Sequence, residues 1–487
     1  MHDITIRPYN AVYDILDCDL SIQEELHDYF TFKVPNYHFM RHKSEKLKKW
    51  SGEIRLFNRR QGTLYTGLRE RLFLFAKDRE YQVNWREVSG DTEFSAHEAV
   101  EFIKSLNLPH MPREYQFKAF LKAVRKKRLL VLSPTASGKS LLIYMLLWWI
   151  KWQPFTYKLL LIVPTVNLVH QMLSDFESYG CKTEEWVHVI YEGQEKFTDK
   201  PIIISTWQSI FNLPKKWFSD INAIVVDEAH HAQAKSLKRI MEMATNTYWR
   251  IGLTGTLDDS LTHRLTLEGL FGPVYQATTT KKLMEQKHIS QMQIKTILLR
   301  YPTEICKTVS KMDYQTEIEF LALNNSRNNF IKNLILSLKE NTLVLYRFVD
   351  KHGKILFDDL NKLTDRPVYY ISGEVDGEER ENIRRILDEQ QNAILLGSYG
   401  TVSTGINIPS LRNIIFASPY KSRIKVLQSI GRGLRKTDTK DQVTVFDIAD
   451  DFTYKKHQNF TLEHYMQRIK LYNEQEFLYR TYEVELK

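Results

Sequence analysis

The chain has 487 residues, a formal net charge of +9, 43% hydrophobic and 26% charged residues. These values exclude a disordered or fibrous chain and leave room for about three domains at ~150 residues each. The three cysteines, Cys18, Cys181 and Cys306, are odd in number and far apart, which excludes a disulfide framework and a zinc site. Reduced thiols in the cytoplasm are expected. The N-terminus MHDITIRPYN lacks the regions of a signal peptide. The longest apolar run, 141–150, is half the ~20 residues of a membrane span and reads as a buried helix.

Residues 1–98 show mixed alternation and are expected to form a small, separate α+β domain. Within 41–60, eight basic residues (Arg41, Lys43, Lys46, Lys48, Lys49, Arg55, Arg59, Arg60) face only Glu45 and Glu53, with Trp50 and Gly52 among them. A basic stretch of this kind is either a solvated face or a grip on a polyanion. Read as a grip, Lys46, Lys48, Lys49, Trp50 and Arg55 are expected to contact nucleic acid, mainly through phosphates.

From 99 onward, short apolar runs alternate with helical patterns in two series. The first is 129–132, 159–163, 202–204 and 223–226; the second is 343–346, 368–371, 393–396, 414–417 and 443–446. Runs buried on both faces imply parallel sheets. Two α/β lobes are therefore expected, 99–280 and 281–450, followed by a helical tail, 451–487, packed on the second.

Directly after 129–132 comes Ser133, Pro134, Thr135, Ala136, Ser137, Gly138, Lys139, Ser140. A strand, a small-residue loop and a helix form the P-loop context. Loop amides and the helix N-terminus face phosphate oxygens. Lys139 supplies charge to the β/γ-phosphates of ATP, and Ser140 a hydroxyl to Mg²⁺. Ser133 stands where the general pattern has its first glycine.

Asp227, Glu228, Ala229 and His230 follow the run 223–226. An acidic pair at a strand's C-terminal end lies where α/β sheets bind ligands. Asp227 is expected to hold Mg²⁺ and Glu228 to orient the attacking water; an acidic first helical turn is the plainer reading. His230 is expected to couple this site to the second lobe. In that lobe, Gln428-Ser-Ile-Gly-Arg-Gly-Leu-Arg435 places Arg432 and Arg435 three apart, on one face of a helical turn. They are expected to neutralise charge on the transferring phosphoryl group, though a solvated basic helix end gives the same pattern.

PTASGKS, DEAH and QSIGRGLR, in this order and in two successive lobes, resemble superfamily 2 helicases, over roughly 109–450. That resemblance implies tandem RecA-like lobes. It implies that Arg113, Tyr115 and Gln116 read adenine, and that Gly405 and Asn407 also face the nucleotide. It adds Gln428 to the catalytic set. Pro164 and Thr165 in PTVNL, Ser205, Thr206, Trp207 and Gln208, and Ser398 and Thr404 in SYGTVSTGIN are implied strand contacts. LTGT, 253–256, resembles the motif that links ATP state to lobe movement. The surrounding text, KWSGEIRL, STWQ, ISGEVD and VLQSIGR, resembles the UvsW helicase family of T-even phages, with DEAH departing from that family's acidic box. This implies a DNA motor acting in recombination and repair, on forks, Holliday junctions and R-loops, within an infected host's cytoplasm. DNA or an RNA–DNA hybrid is the expected partner, possible partner proteins are those of recombination or replication, and no membrane is involved. An RNA remodeller, a restriction-complex motor and an ATP-binding protein without turnover are the alternatives. The last conflicts with the presence of Lys139, Asp227, Glu228, Arg432 and Arg435 together.

Overall fold

Alternating apolar residues build the first sheet. Strand β1 (Ile4–Pro8) and strand β2 (Tyr13–Cys18) form an antiparallel hairpin, from Ile4 opposite Cys18 to Pro8 opposite Asp14. Asn10 sets the turn, because its side-chain oxygen accepts from the backbone of Val12 and Tyr13. Ile4, Ile6 and Leu16 face inward and are buried. Strands β3 (Thr31–Lys33) and β4 (Glu53–Arg55) pair as a separate ribbon. Strands β5 (Phe57–Asn58), β6 (Thr63–Tyr65) and β7 (Val83–Asn84) complete a sheet of order β5-β6-β2-β1-β7. Helices Leu20–Tyr29 and Arg69–Asp78 add Leu26, Leu72 and Phe75 to its core.

The structure, a computed structural model, describes residues 2–34, 51–85, 88, 91–154, 156–233, 235–257, 261–373, 382–383, 385–387, 389–403, 410–419, 426, 431 and 442–486. Its two compact units are Met1–Ser133 with Gly138–Ala277, and Thr278–Lys487 with Pro134–Ser137.

In the first unit, strands β8 (Arg128–Leu132), β9 (Lys158–Val163), β10 (Val187–Ile190), β11 (Ile202–Thr206), β12 (Ile221–Val226), β13 (Trp249–Thr254) and β14 (Val274–Gln276) form one sheet. Its order is β10-β11-β9-β12-β13-β8-β14, with every pairing parallel. Successive residues serve opposite faces. Leu129, Val131, Leu159 and Leu161 enter one core, while Leu130, Leu160, Ile162 and Val226 enter the other. That is why these strands read as unbroken apolar runs. The run 141–150 lies in the helix Lys139–Lys151, with eight buried side chains.

The N-terminal domain is α+β, but its separateness needs correction: its core continues into that of the lobe. Ile6, Leu16, Tyr65 and Leu68 belong to the same cluster as Leu130, Leu267 and Phe271. The junction is a close backbone crossing. A Cβ on Gly67 would lie 2.1 Å from the Glu268 carbonyl oxygen, and one on Gly269 would lie 3.2 Å from Tyr65. Arg71 clamps it, donating from Nε and Nη2 to the Glu268 carboxylate at 2.7 and 2.9 Å. Such bidentate geometry is the strong form of an ion pair.

The second unit holds another parallel sheet. Its strands are β15 (Gln291–Arg300), β16 (Thr342–Tyr346), β17 (Val368–Ile371), β18 (Ile394–Ser398), β19 (Asn413–Phe416), β20 (Gln442–Asp451) and β21 (Tyr479–Glu485), ordered β17-β18-β16-β19-β20-β15-β21. Arg327 and Asp450 pair at 2.8 Å, both fully buried. The tail is helical over Phe460–Glu474, and Arg468 and Tyr472 fasten it to Asp447 of β20. It then adds β21, parallel to β15 along Ile294–Arg300. The sequence reading missed this strand: YRTYEVE is mostly exposed, so it carries no apolar run. No helix among the described residues is long and apolar enough to cross a membrane.

Candidate nucleotide and strand-contact site

Parallel order brings distant motifs to one edge of the first lobe. The P-loop follows β8, PTVNL follows β9, STWQ spans the end of β11, DEAH follows β12, and LTGT closes β13. Five segments, from Ser133 to Thr256, therefore gather at the C-terminal ends of neighbouring strands, where such sheets bind ligands.

The P-loop is shaped by backbone that favours glycine. Gly138 has φ +74°, and a Cβ there would meet Gln116 Nε2 at 2.5 Å. Gln116 Nε2 donates to the Gly138 carbonyl at 3.0 Å, while its Oε1 accepts from the Arg113 amide at 2.8 Å. Arg113 Nη1 donates to the Tyr115 hydroxyl at 3.1 Å. The segment REYQ is thus tied to the loop's last turn. Ala136 also takes positive φ, 65°, leaving Pro134, Thr135 and Ser137 in a tightly turned loop.

Lys139 opens the following helix. Its Nζ donates to the Ser133 carbonyl at 3.4 Å and lies 3.7 Å from Glu228 Oε1. Asp227 is buried; its amide donates to Ile162 O, and its Oδ1 accepts from the Glu228 amide at 3.0 Å. Burial first, then the Glu228 charge, pushes the Asp227 carboxyl up to about 6. Burial also acts to raise Glu228, but Lys139 and then His230 outweigh it and hold that carboxyl well below its ordinary range. Glu228 sits at φ +51°, a left-handed conformation that costs on the order of 1–3 kcal/mol in a residue other than glycine. It fixes where the carboxylate points.

His230 Nδ1 lies 2.9 Å from Thr254 Oγ1 and 3.3 Å from Glu228 Oε2. The Thr254 hydroxyl donates to Thr256 O at 2.9 Å, so its oxygen accepts a hydrogen bond from the Nδ1–H of His230. His263 Nε2 donates to the His230 carbonyl at 3.1 Å. His230 therefore links the acidic box to LTGT inside the first lobe, a partner other than the second-lobe one expected from sequence. Two further residues were not anticipated. His263 carried no motif signal. Tyr179, whose hydroxyl lies 2.9 Å from Ser140 Oγ, reads in sequence as an ordinary helix end before Gly180.

The expected strand contacts divide by burial. Thr165 caps the helix Val166–Ser178, accepting from the Leu168 amide. Pro164 is buried. Ser205 is wholly buried, and its hydroxyl donates to the carbonyls of Ile190 and Thr206. The expectation for Ser205 is corrected: it closes the end of β11 and presents no side chain. Thr206 is nearly as buried and bonds Ser209. Trp207 and Gln208 reach the surface, with the Trp207 ring 5.4 Å from that of His231. In the second lobe, Ser398 ends β18 and shares its hydroxyl with Thr401 at 2.8 Å. Arg55 is exposed at the end of β4 and pairs with Glu53 at 2.9 Å. Lys46, Lys48, Lys49, Trp50, Thr404, Gly405, Asn407, Gln428, Arg432 and Arg435 lie outside the described residues.

Two parallel seven-stranded lobes, with a P-loop and an acidic box on one sheet edge of the first, define a superfamily 2 helicase that hydrolyses ATP. Three family descriptions match in order: "DNA helicase UvsW, N-terminal" over 3–85, "Type III restriction enzyme, res subunit" over 109–259 and "Helicase conserved C-terminal domain" over 326–437. The chain is 33% identical over 500 residues to the ATP-dependent DNA helicase uvsW of Enterobacteria phage T4, covering 98% of each chain. It belongs to the UvsW family of DNA helicases. The crystal structure of T4 UvsW matches across 100% of both chains, at 31% identity and TM-score 0.52. The restriction-modification enzyme LlaBIII bound to DNA shares the fold at 15% identity and TM-score 0.59, over 78% of this chain and 31% of its own.

Proposed function

We propose that this helicase remodels branched DNA, regressing forks, migrating Holliday junctions and unwinding R-loops in recombination and repair. The observation that carries the reading is the gathering of five motif segments on one sheet edge, with Lys139, Asp227 and Glu228 at its centre. The residues fit ATP with Mg²⁺. Gly138 leaves room where any side chain would strike Gln116, and burial and the neighbouring Glu228 charge hold Asp227 toward its protonated form, a pairing of carboxylates that a divalent cation would relieve. Ser140 and Asp227 would hold the cation, and Lys139 the β/γ-phosphates. When bound, ATP supplies the phosphoryl group whose hydrolysis drives translocation.

Glu228, kept ionised by Lys139 and His230, orients the attacking water and takes its proton. Gln116, Tyr115 and Arg113 position the base. Arg432 and Arg435, with Gln428, neutralise charge developing on the transferred group; Gly405 and Asn407 complete the nucleotide contacts. Thr165, Trp207, Gln208, Ser398 and Thr404 track one strand, mostly through its backbone, so they serve DNA and RNA alike. The basic stretch 41–60 grips duplex or branch-point DNA.

ATPase stimulation and strand separation should be measured across forks, four-way junctions, R-loops, single-stranded DNA and RNA. Branched DNA should give the largest response. The reversals Lys48→Glu and Lys49→Glu should weaken junction binding and flatten its log–log salt slope by about 0.9 per lost phosphate contact. Unchanged junction affinity and slope would make 41–60 a solvated face only.

A further inference from the structure

A cavity of ≈ 560 Å³ lies between the N-terminal domain and the opposite edge of the first-lobe sheet. Its floor is the beginning of the strands: Arg128 opens β8, Tyr248 precedes β13 and Pro273 precedes β14. The P-loop leaves the other end of β8, about 15 Å away at the rise of a parallel strand. The N-terminal domain supplies the far wall, including Arg69, Phe73 and Trp85. The volume lies within the about 300–1,000 Å³ typical of small-molecule sites.

The charges in this cavity do not balance. Arg69 is matched by Asp14, a bidentate pair at 2.7 Å in both contacts. Lys126 lies 3.3 Å from both Glu70 and Asp91, so the carboxylates of the lining are already engaged. Among the described residues, the hydrogen-bond acceptor that Arg128 finds is the Ala11 carbonyl, which accepts from Nη2. Its Nη1 is shut off from solvent and has no hydrogen-bond partner among the described residues. Burial first, then neighbouring Arg69, brings this guanidinium down to about 10. Asp14, already bidentate to Arg69, is the carboxylate that acts on Arg128, so two guanidinium groups share one anion, a cost that a fold retains only against some return. Beside it stand flat apolar surfaces: Phe73 and Tyr248 are 52% and 61% exposed, and Trp85 is half-buried.

We propose that this cavity binds a small organic anion of mononucleotide size, its acidic group drawn to the half-buried Arg128 side chain and its planar body against Phe73, Trp85 and Tyr248. The site is separate from the P-loop, which stands at the other ends of the strands. A ligand here touches both the N-terminal domain and the lobe, so it stabilises their junction by mass action.

The test uses the full chain with the ATP site saturated by Mg-ADP. Adenosine 5′-monophosphate and inorganic phosphate are titrated by calorimetry, and thermal midpoints are followed. Adenosine monophosphate should bind saturably and raise the midpoint, with phosphate weaker. Arg128→Met should weaken adenosine monophosphate by at least about tenfold, the loss of a charge-assisted contact, without lowering the unliganded midpoint. Phe73→Ala, at an exposed position, should weaken adenosine monophosphate severalfold and leave phosphate unchanged. Absence of saturable binding to the wild-type chain, equal binding of the two probes, or affinity untouched by either substitution would overturn the proposal.

Discussion

The Tyr179 hydroxyl lies 2.9 Å from Ser140 Oγ, the atom that a P-loop offers to its cation. Tyr179 thus competes for Ser140 when no nucleotide is bound. Tyr179→Phe removes the competitor and keeps the ring that packs 5.3 Å from Tyr144. Release of one hydrogen bond should tighten Mg-nucleotide binding about two- to fivefold, with little change in kcat. Equilibrium titration with a fluorescent nucleotide checks this; weaker binding in the variant would make Tyr179 a support for Ser140 instead.

The Lys139–Glu228 contact links the two groups proposed to carry hydrolysis. Lys139→Ala and Glu228→Gln should each lower DNA-stimulated ATPase at least about a hundredfold, as removal of a transition-state contact does. They should differ in binding: Glu228→Gln retains nucleotide affinity, whereas Lys139→Ala loses it. Near-wild-type turnover in both would remove the assignment.

With Asp227 raised to about 6, the proposed cation binding is predicted to depend on pH. Below about pH 6 the folded protein holds a proton there, and a divalent cation must displace it. Mg²⁺ affinity should therefore fall about tenfold per pH unit below 6 and level off above 7. Asp227→Asn should weaken Mg²⁺ binding and abolish that slope. Affinity that stays constant from pH 7 to pH 5 in the wild type would contradict the role given to Asp227.

Gly67 and Arg71 hold the N-terminal domain on the lobe. Gly67→Ala forces a methyl toward the Glu268 carbonyl and should cost about 1–3 kcal/mol. Arg71→Met should cost a similar amount, about 1–3 kcal/mol, since Glu268 is nearly buried but keeps Arg264 at 2.9 Å. Urea midpoints of the full chain measure both. Unfolding in two separated transitions, with only the first moved, would mean that the domain's stability is independent of the lobe's.

Much of this was legible because the signals are local. The P-loop and DEAH each follow a buried strand, and apolar runs such as 129–132 and 223–226 report both-face burial. The missed features depend on tertiary neighbours. Nothing near Tyr179 in sequence points to Ser140, 39 positions away. The strand β21 pairs at a sheet edge through exposed side chains. Ser205 looks polar and available, yet its place at the end of a central strand buries it. The continuity of the N-terminal core with the lobe rests on glycines, Gly67 and Gly269, whose close approach leaves no apolar pattern to read.

The most direct measurement is single-turnover conversion of a synthetic four-way junction to duplex products. Wild type and Glu228→Gln are compared at saturating protein, with and without ATP. The account predicts ATP-dependent conversion by the wild type, with junction binding but no conversion by Glu228→Gln. An intact junction under wild-type protein that hydrolyses ATP rapidly on single strands would contradict it, as would conversion that proceeds equally without ATP.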